Sequence, residues 1–212
     1  MNQIDKEMDV AIKNFDVEKA EEIIERRIKN DNRNIKLWFK LAIIELTVPL
    51  VDYIKSLECV NKILDIDKNN VLAVILECCI HHYHLGGINE DLFNKLNLIR
   101  TNDNDVLSMI KYIMSLYYED LDINKQKELL EQSICLCNDY VTNYEELGNI
   151  YIIQGDLDKG KKLIKKAYDN IKLVYNEEEL CDFTDVNEYI NEHVKGIHLS
   201  WINKERIREL LN

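Results

Sequence analysis

The side chains best suited to metal binding lie together in the segment ECCIHHYH, residues 77–84. On a helix, Cys78 and His82 are four residues apart on one face, so their thiolate and imidazole can reach one ion. Two such ligands make only half of a tetrahedral zinc site, and no second pair with ligand spacing occurs in the sequence. We therefore predict no metal site and interpret Cys78 as a small packing residue beside partly exposed histidines.

Nucleophilic catalysis requires a Ser or Cys beside a base, with donors placed to stabilise an oxyanion. The sequence contains no G-x-S-x-G elbow, phosphate-binding loop, dinucleotide-binding motif or H-E-x-x-H motif. Cys135 and Cys137 are two apart on a predicted helix and point to different faces, which disfavours a redox pair. The sequence predicts no catalytic residue, no cofactor and no enzyme activity.

The chain is acidic, with 39 Asp and Glu against 27 Lys and Arg and a formal net charge of −12. Such a surface repels nucleic-acid phosphates and anionic membranes, because binding to them depends on Lys and Arg. The charge predicts a partner that is apolar or basic rather than acidic, and neither a nucleic acid nor a membrane. Six cysteines without a CxxC motif, and no signal peptide or membrane-spanning run, predict a cytoplasmic protein with reduced thiols.

The elements that must position these side chains are predicted to be helices. One Pro and six Gly leave few places for a helix to break. Residues 143–169 show the clearest pattern, a helix, a turn at Gly155-Asp156 and a second helix. Small and apolar residues recur there at helical spacing, and we expect Gly148 and Gly160 to face each other where the two helices approach closely. The recurring residues are Tyr144, Leu147, Gly148 and Tyr151, then Gly160, Leu163, Ile164 and Ala167.

This segment resembles a tetratricopeptide repeat (TPR), whose first helix carries an aromatic residue, Leu-Gly and Tyr, and whose second helix carries Ala, Phe and Ala. Gly160 stands where the family prefers Ala, and Ile164 where it prefers Phe. Weaker copies recur at about 34 residues. The copies span residues 1–34, 35–70, 71–105, 106–140 and 141–175.

The resemblance implies an all-α, right-handed α-solenoid of about five helical hairpins. After residue 175 the repeat period ends. Residues 176–212 are predicted to form C-terminal capping helices, with a separate functional module as the alternative.

In the TPR family, the concave groove is lined by fixed positions on the first helix of each copy. The resemblance places an apolar and aromatic set at these positions, without the Lys and Arg clamp that holds the C-terminal carboxylate of heat-shock chaperones in some relatives. The alternative is that part of this stripe is core or is covered by the C-terminal segment. The set comprises Phe39, Ile43, Leu46, Ile75, Cys79, His82, Tyr83, Ile110, Met114, Tyr117, Tyr118, Glu145, Asn149 and Ile152.

The resemblance implies a protein- or peptide-binding adaptor or scaffold that uses this groove. The alternative function is a regulatory receptor whose curvature changes when a peptide binds. The sequence also leaves a homo-oligomer open, and neither the fold nor the motif identifies the partner.

Overall fold

The computed structural model describes residues 6–7, 10–11, 16–46 and 49–174, except for the side chains of residues 168 and 171–174. Within these ranges all the regular structure is helical, and the all-α fold predicted from the sequence is confirmed. The predicted capping segment, residues 176–212, lies outside the described residues. The helices are α1 (Val17–Asn30), α2 (Ile35–Glu45), α3 (Tyr53–Ile66), α4 (Val71–His84), α5 (Glu90–Leu98), α6 (Asn104–Tyr117), α7 (Ile123–Leu136), α8 (Val141–Ile153) and α9 (Leu157–Val174).

Several helices begin at an Asp or Asn whose side chain accepts hydrogen bonds from the first turn. Backbone N–H groups donate to Asp52 at the start of α3, to Asn89 before α5, to Asp103 before α6 and to Asp122 before α7. The first turn of a helix has N–H groups without an intrahelical acceptor, and these side chains satisfy some of them. Local sequence therefore fixes where these helices start.

Helix α8 ends in the turn that the sequence predicts at Gly155-Asp156. Gly155 has a φ of 89°, in the left-handed region that favours glycine. The Asp156 N–H donates to the Tyr151 carbonyl at 2.9 Å, which closes the helix end. The chain can then reverse and enter α9.

The chain divides into two compact units, with the boundary between Ile80 and His81 in helix α4. In the first unit, α2 packs against both α1 and α3. Ile24, Ala42 and Ile63 are fully buried there, and the Ser56 hydroxyl donates to the Ala42 carbonyl at 2.7 Å. Apolar burial and the Ser56 hydrogen bond thus help to hold α3 on α2.

In the second unit, α5 packs against α6, α6 against α7, α7 against α8, and α8 against α9. The Ser108 hydroxyl on α6 lies 2.8 Å from that of Ser133 on α7, and the Asn143 side-chain amide on α8 donates to the same Ser133 oxygen at 2.8 Å. All three side chains are fully buried. Three helices therefore share one hydrogen-bonded contact inside the core.

Helices α8 and α9 approach each other at two glycines. A Cβ atom added at Gly160 would lie 2.8 Å from the Gly148 carbonyl oxygen, and one added at Gly148 would lie 3.0 Å from the Gly160 carbonyl oxygen. Real Cβ atoms essentially never lie as close as 2.8 Å to a backbone oxygen, and 3.0 Å is tighter than almost all real Cβ contacts. The prediction that Gly148 and Gly160 face each other is confirmed.

No helix in the described ranges combines the length and the apolar character needed to cross a membrane.

Candidate functional site

The predicted groove residues differ in how much surface they expose. Those with buried side chains present little surface to a partner, because the apolar face of each helix is broad enough to include them in the core. The buried members are Phe39, Ile75, Cys79, Ile110 and Met114. The partly exposed members are Ile43, Leu46, His82, Tyr83, Tyr117, Tyr118, Glu145 and Ile152, and Asn149 is exposed.

Three aromatic rings of the second unit contact one another at the end of α6. The Phe93 ring on α5 stacks on the Tyr117 ring, with centroids 4.4 Å apart and an interplanar angle of 30°. Tyr118 packs edge-on against both, at 5.2 Å from Tyr117 and 5.5 Å from Phe93. All three side chains remain partly exposed. They form an aromatic cluster that keeps part of its surface exposed.

Phe93 was not among the predicted groove residues. The family rule draws groove positions only from the first helix of each copy, and Phe93 lies on the second helix of its copy. In the sequence, Phe93 is marked only as an aromatic residue that follows Leu92, whose side chain the structure buries. Its contact with Tyr117 depends on tertiary structure and has no periodic signature.

His82 and Tyr83 lie on the last turn of α4. The His82 ring packs edge-on against Tyr83, with centroids 4.5 Å apart, and its Nε2 lies 3.8 Å from Oε2 of Glu119. The Tyr83 hydroxyl is 3.1 Å from the hydroxyl of Tyr112. Burial lowers the pKa of His82 from its usual value of 6.5, so the imidazole is mainly neutral at pH 7. His82 therefore places little positive charge near the Glu119 carboxylate.

Three carboxyl groups of the second unit have raised pKa values. Burial raises the pKa of Glu119, and the neighbouring Asp120 raises it further. Burial also raises the pKa of Glu145 and of Glu146 on α8 to about 7 each, with further contributions from Glu146 on Glu145 and from Glu119 on Glu146. Oε2 of Glu145 is buried and accepts no hydrogen bond from any residue that the structure describes. Within the described ranges, neither Glu145 nor Glu146 forms an ion pair with a basic side chain.

The rings, His82 and Glu119 are joined by the contacts just given and by the sequence neighbours Tyr118-Glu119, and the charge of Glu119 raises the pKa of Glu146 on α8. We call the set the aromatic–acidic surface, and all of it belongs to the second unit. Of its members, the sequence predicted four as groove positions, three of them at α6 and α8 and one in α4. The members are His82, Phe93, Tyr117, Tyr118, Glu119, Glu145 and Glu146.

The cysteines beside His82 lie in the core. Cys78 and Cys79 are both buried, and burial raises the pKa of Cys79 well above its usual value of 9.0. Its sulfur is therefore a protonated thiol at neutral pH. Among the residues with described positions, no group of three or more His, Cys, Asp or Glu is arranged to hold a metal ion.

The sequence matches no family model and no curated protein. Solved structures do resemble the fold. A crystal structure of MamA protein has a TM-score of 0.59 and 18% identity, covering 86% of this chain and 96% of that chain. A second MamA crystal structure has a TM-score of 0.58 and 20% identity, covering 86% and 99%. MamA 41-end from Desulfovibrio magneticus RS-1 has a TM-score of 0.59 and 14% identity, also covering 86% and 99%. The chain thus has the fold of MamA, a TPR-like helical solenoid.

Proposed function

We propose that this protein is a scaffold that binds another protein or a peptide, and that the partner contacts the aromatic–acidic surface. The observation that carries the proposal is the stack of Phe93 on Tyr117 with Tyr118 edge-on, in which all three rings keep exposed area. Its structural likeness to MamA, a TPR-type helical protein, supports the same class of function.

Aromatic side chains suit a binding surface for a physical reason. Each buries a large apolar area, and only two side-chain torsions must be fixed when a partner binds. Because Phe93, Tyr117 and Tyr118 already hold one another in place, less conformational entropy is lost on association. The Tyr hydroxyls can stay hydrated at the edge of the contact.

The test begins with peptides selected from a displayed random library against the full-length protein. The affinity of the selected peptide is then measured for Tyr117→Ala and Tyr118→Ala, after circular dichroism shows that both variants remain helical. We expect losses of about tenfold or more, the usual effect of truncating an aromatic anchor. Ile54→Ala on α3 is the control, because Ile54 is an exposed apolar residue of the first unit.

Two results would count against the proposal. A library that yields no peptide enriched for the folded protein contradicts the scaffold function. A selected peptide that binds Tyr117→Ala and Tyr118→Ala as tightly as the unmodified protein shows that the partner contacts another surface. Sedimentation velocity at several concentrations tests whether a second copy of the chain is the partner.

A further inference from the structure

Helix α9 carries a concentration of lysines that the net charge of the chain conceals. Residues 157–169 contain five lysines and two aspartates, whereas the whole chain has 39 acidic against 27 basic side chains. All five lysine side chains are exposed, and all belong to the second unit. We call this set the α9 lysine face. Its members are Lys159, Lys161, Lys162, Lys165 and Lys166.

Helical geometry brings the last four of these lysines to one side of α9. They follow the spacing i, i+1, i+4 and i+5, which places them within about 140° of the helix circumference. Gly160, Ala167 and Asn170 are buried on the opposite side of the helix. The four lysines therefore point away from the core and toward solvent.

One tyrosine holds two ammonium groups at the start of the α9 lysine face. The Lys159 ammonium lies 3.9 Å from the centroid of the Tyr151 ring on α8 and donates to the Tyr151 hydroxyl at 2.6 Å. The Lys127 ammonium on α7 lies 4.4 Å from the same centroid. The Tyr151 hydroxyl donates to Glu131 at 2.9 Å, and this carboxylate offsets part of the repulsion between the two cations. Contacts with one ring thus extend the basic surface from α9 onto α7.

Most of the remaining lysines of this face have no carboxylate partner. The Lys165 ammonium lies 3.6 Å from Asp169, four residues along α9. Lys161, Lys162 and Lys166 form no ion pair with any side chain that the structure describes. Three ammonium groups on one side of a helix are thus open to an acidic ligand.

The size and surroundings of the face favour a short acidic segment of another protein over a nucleic acid or a membrane. Lys159 and Lys166 are about 10 Å apart along the helix axis, a distance that about three extended residues span. A long polyanion would also meet the rest of an acidic chain, whose net charge of −12 repels it. Leu157, which is 52% exposed and four residues before Lys161, offers apolar contact to a peptide side chain.

We infer that the α9 lysine face, extended by Lys127, binds a short acidic segment of a partner protein. The ammonium groups of Lys161, Lys162 and Lys166 donate to the carboxylates of that segment. The inference goes beyond the proposed function, because it assigns a second contact surface that shares no residue with the aromatic–acidic surface. It also departs from the expectation of an apolar or basic partner, since local charge rather than net charge decides what α9 binds.

The experiment uses short fluorescein-labelled peptides in which leucine alternates with glutamate or with glutamine. Fluorescence anisotropy measures their affinity for the full-length protein at several salt concentrations. Exposed ion pairs are individually weak, so several must act together, and we expect the glutamate peptide to bind about tenfold more tightly than the glutamine peptide at low salt. This preference should shrink as added salt screens the charges.

A double variant locates the contact. Lys162→Gln combined with Lys166→Gln removes two ammonium groups and should reduce the preference for glutamate over glutamine about threefold or more. Lys19→Gln combined with Lys29→Gln is the matched control, because both are exposed lysines of α1 in the first unit and the net charge changes equally. The control should leave the preference unchanged, and urea denaturation shows that both double variants remain folded.

Three results would overturn the inference. Equal affinity for the glutamate and glutamine peptides shows that the face makes no charge-specific contact. An equal loss of preference in the two double variants shows a general effect of net charge. A single-stranded oligonucleotide or a phosphatidylserine vesicle that binds more tightly than the glutamate peptide, and that loses affinity in the α9 double variant, shows that the face takes another polyanion.

Tyr117→Ala separates this inference from the proposed function. The glutamate peptide should bind that variant as tightly as it binds the unmodified protein, because Tyr117 is not part of the α9 lysine face. If Tyr117→Ala abolishes binding of the glutamate peptide, the peptide occupies the aromatic–acidic surface and the inference is wrong. If the glutamate peptide binds neither protein, the inference is wrong while the library test of the proposed function is unaffected.

Discussion

The ammonium of Lys55 on α3 lies 2.8 Å from Oε1 of Glu45 at the end of α2, and the Glu45 side chain is only 2% exposed. Glu21 and Glu25 on α1 contact the same ammonium. Burial alone would lower the pKa of Lys55, but its three carboxylate partners outweigh burial and raise it above the usual 10.5. One lysine thus joins three helices of the first unit.

Removing this cation should destabilise the protein. Lys55→Met leaves the buried Glu45 carboxylate without its partner, and we expect the free energy of unfolding to fall by about 2 kcal/mol. The value is below that of a fully buried pair because Lys55 is 30% exposed. Urea denaturation measures the change. Adding Glu45→Gln to Lys55→Met should restore part of the loss, and an unchanged midpoint for Lys55→Met would contradict the role of the ion pair.

The contact between Gly148 and Gly160 makes alanine unfavourable where it normally stabilises a helix. Gly→Ala inside a helix usually gains about 1 kcal/mol. At Gly160 the added methyl group meets the Gly148 carbonyl, and we expect Gly160→Ala to lose about 1 to 3 kcal/mol through overpacking. Thermal and urea unfolding measure it, with Lys162→Ala on an exposed position of α9 as the control. A more stable Gly160→Ala variant would mean that the two helices do not approach so closely.

Glu145 and Glu146 predict a pH dependence of stability. Burial raises the pKa of each to about 7 in the folded protein, against 4.5 for an exposed Glu. Between these values the folded state binds more protons than the unfolded state, so the contribution of both residues to stability falls as pH rises from about 4.5 to 7 and is constant above that. Urea denaturation of Glu146→Gln and of the unmodified protein at several pH values in this range measures the contribution of Glu146.

His82 contributes a pH dependence of the opposite sign, because its pKa is lowered by burial. Because both proteins contain His82, its contribution cancels when the urea midpoint of Glu146→Gln is compared with that of the unmodified protein. A midpoint difference that does not change with pH would show that Glu146 titrates like an exposed carboxyl.

The shared contact at Ser133 gives a further prediction. Ser133→Ala removes the hydroxyl that accepts from the buried Asn143 side-chain amide, while the Ser108 hydroxyl keeps its hydrogen bond to the Ser133 carbonyl at 2.8 Å. We expect a loss of about 1 to 3 kcal/mol. Cys135→Ala, at an exposed position of α7, is the control. If Ser133→Ala unfolds at the same urea concentration as Cys135→Ala, the contact does not stabilise the fold.

Features set by neighbours in the sequence were predictable. The turn at Gly155-Asp156 follows from a glycine after a helical pattern, and the facing glycines follow from helical spacing on both sides of that turn. The helical class follows from the rarity of Pro and Gly. Each of these features depends on one helix or on two consecutive helices, so it can be predicted without the rest of the chain.

Features set by contacts between distant segments were not predictable. Phe93 meets Tyr117 across a loop, and Glu146 is close enough to Glu119 for one charge to shift the pKa of the other. Ile110 and Met114 stand at predicted groove positions, and their side chains are buried. A position rule taken from the family does not report how exposed a side chain is. Exposure is decided by tertiary packing, and the sequence pattern is the same in both cases.

The helix starts have a consequence for engineering. Asp52, Asp103 and Asp122 each contribute to the acidic charge, yet they act through a side-chain oxygen that accepts backbone N–H groups. Asn89 does the same at α5 without a charge. Replacing those three aspartates with asparagine would therefore yield a less acidic protein that keeps its helix boundaries. The effect of net charge on binding could then be measured in a protein whose helices are unchanged.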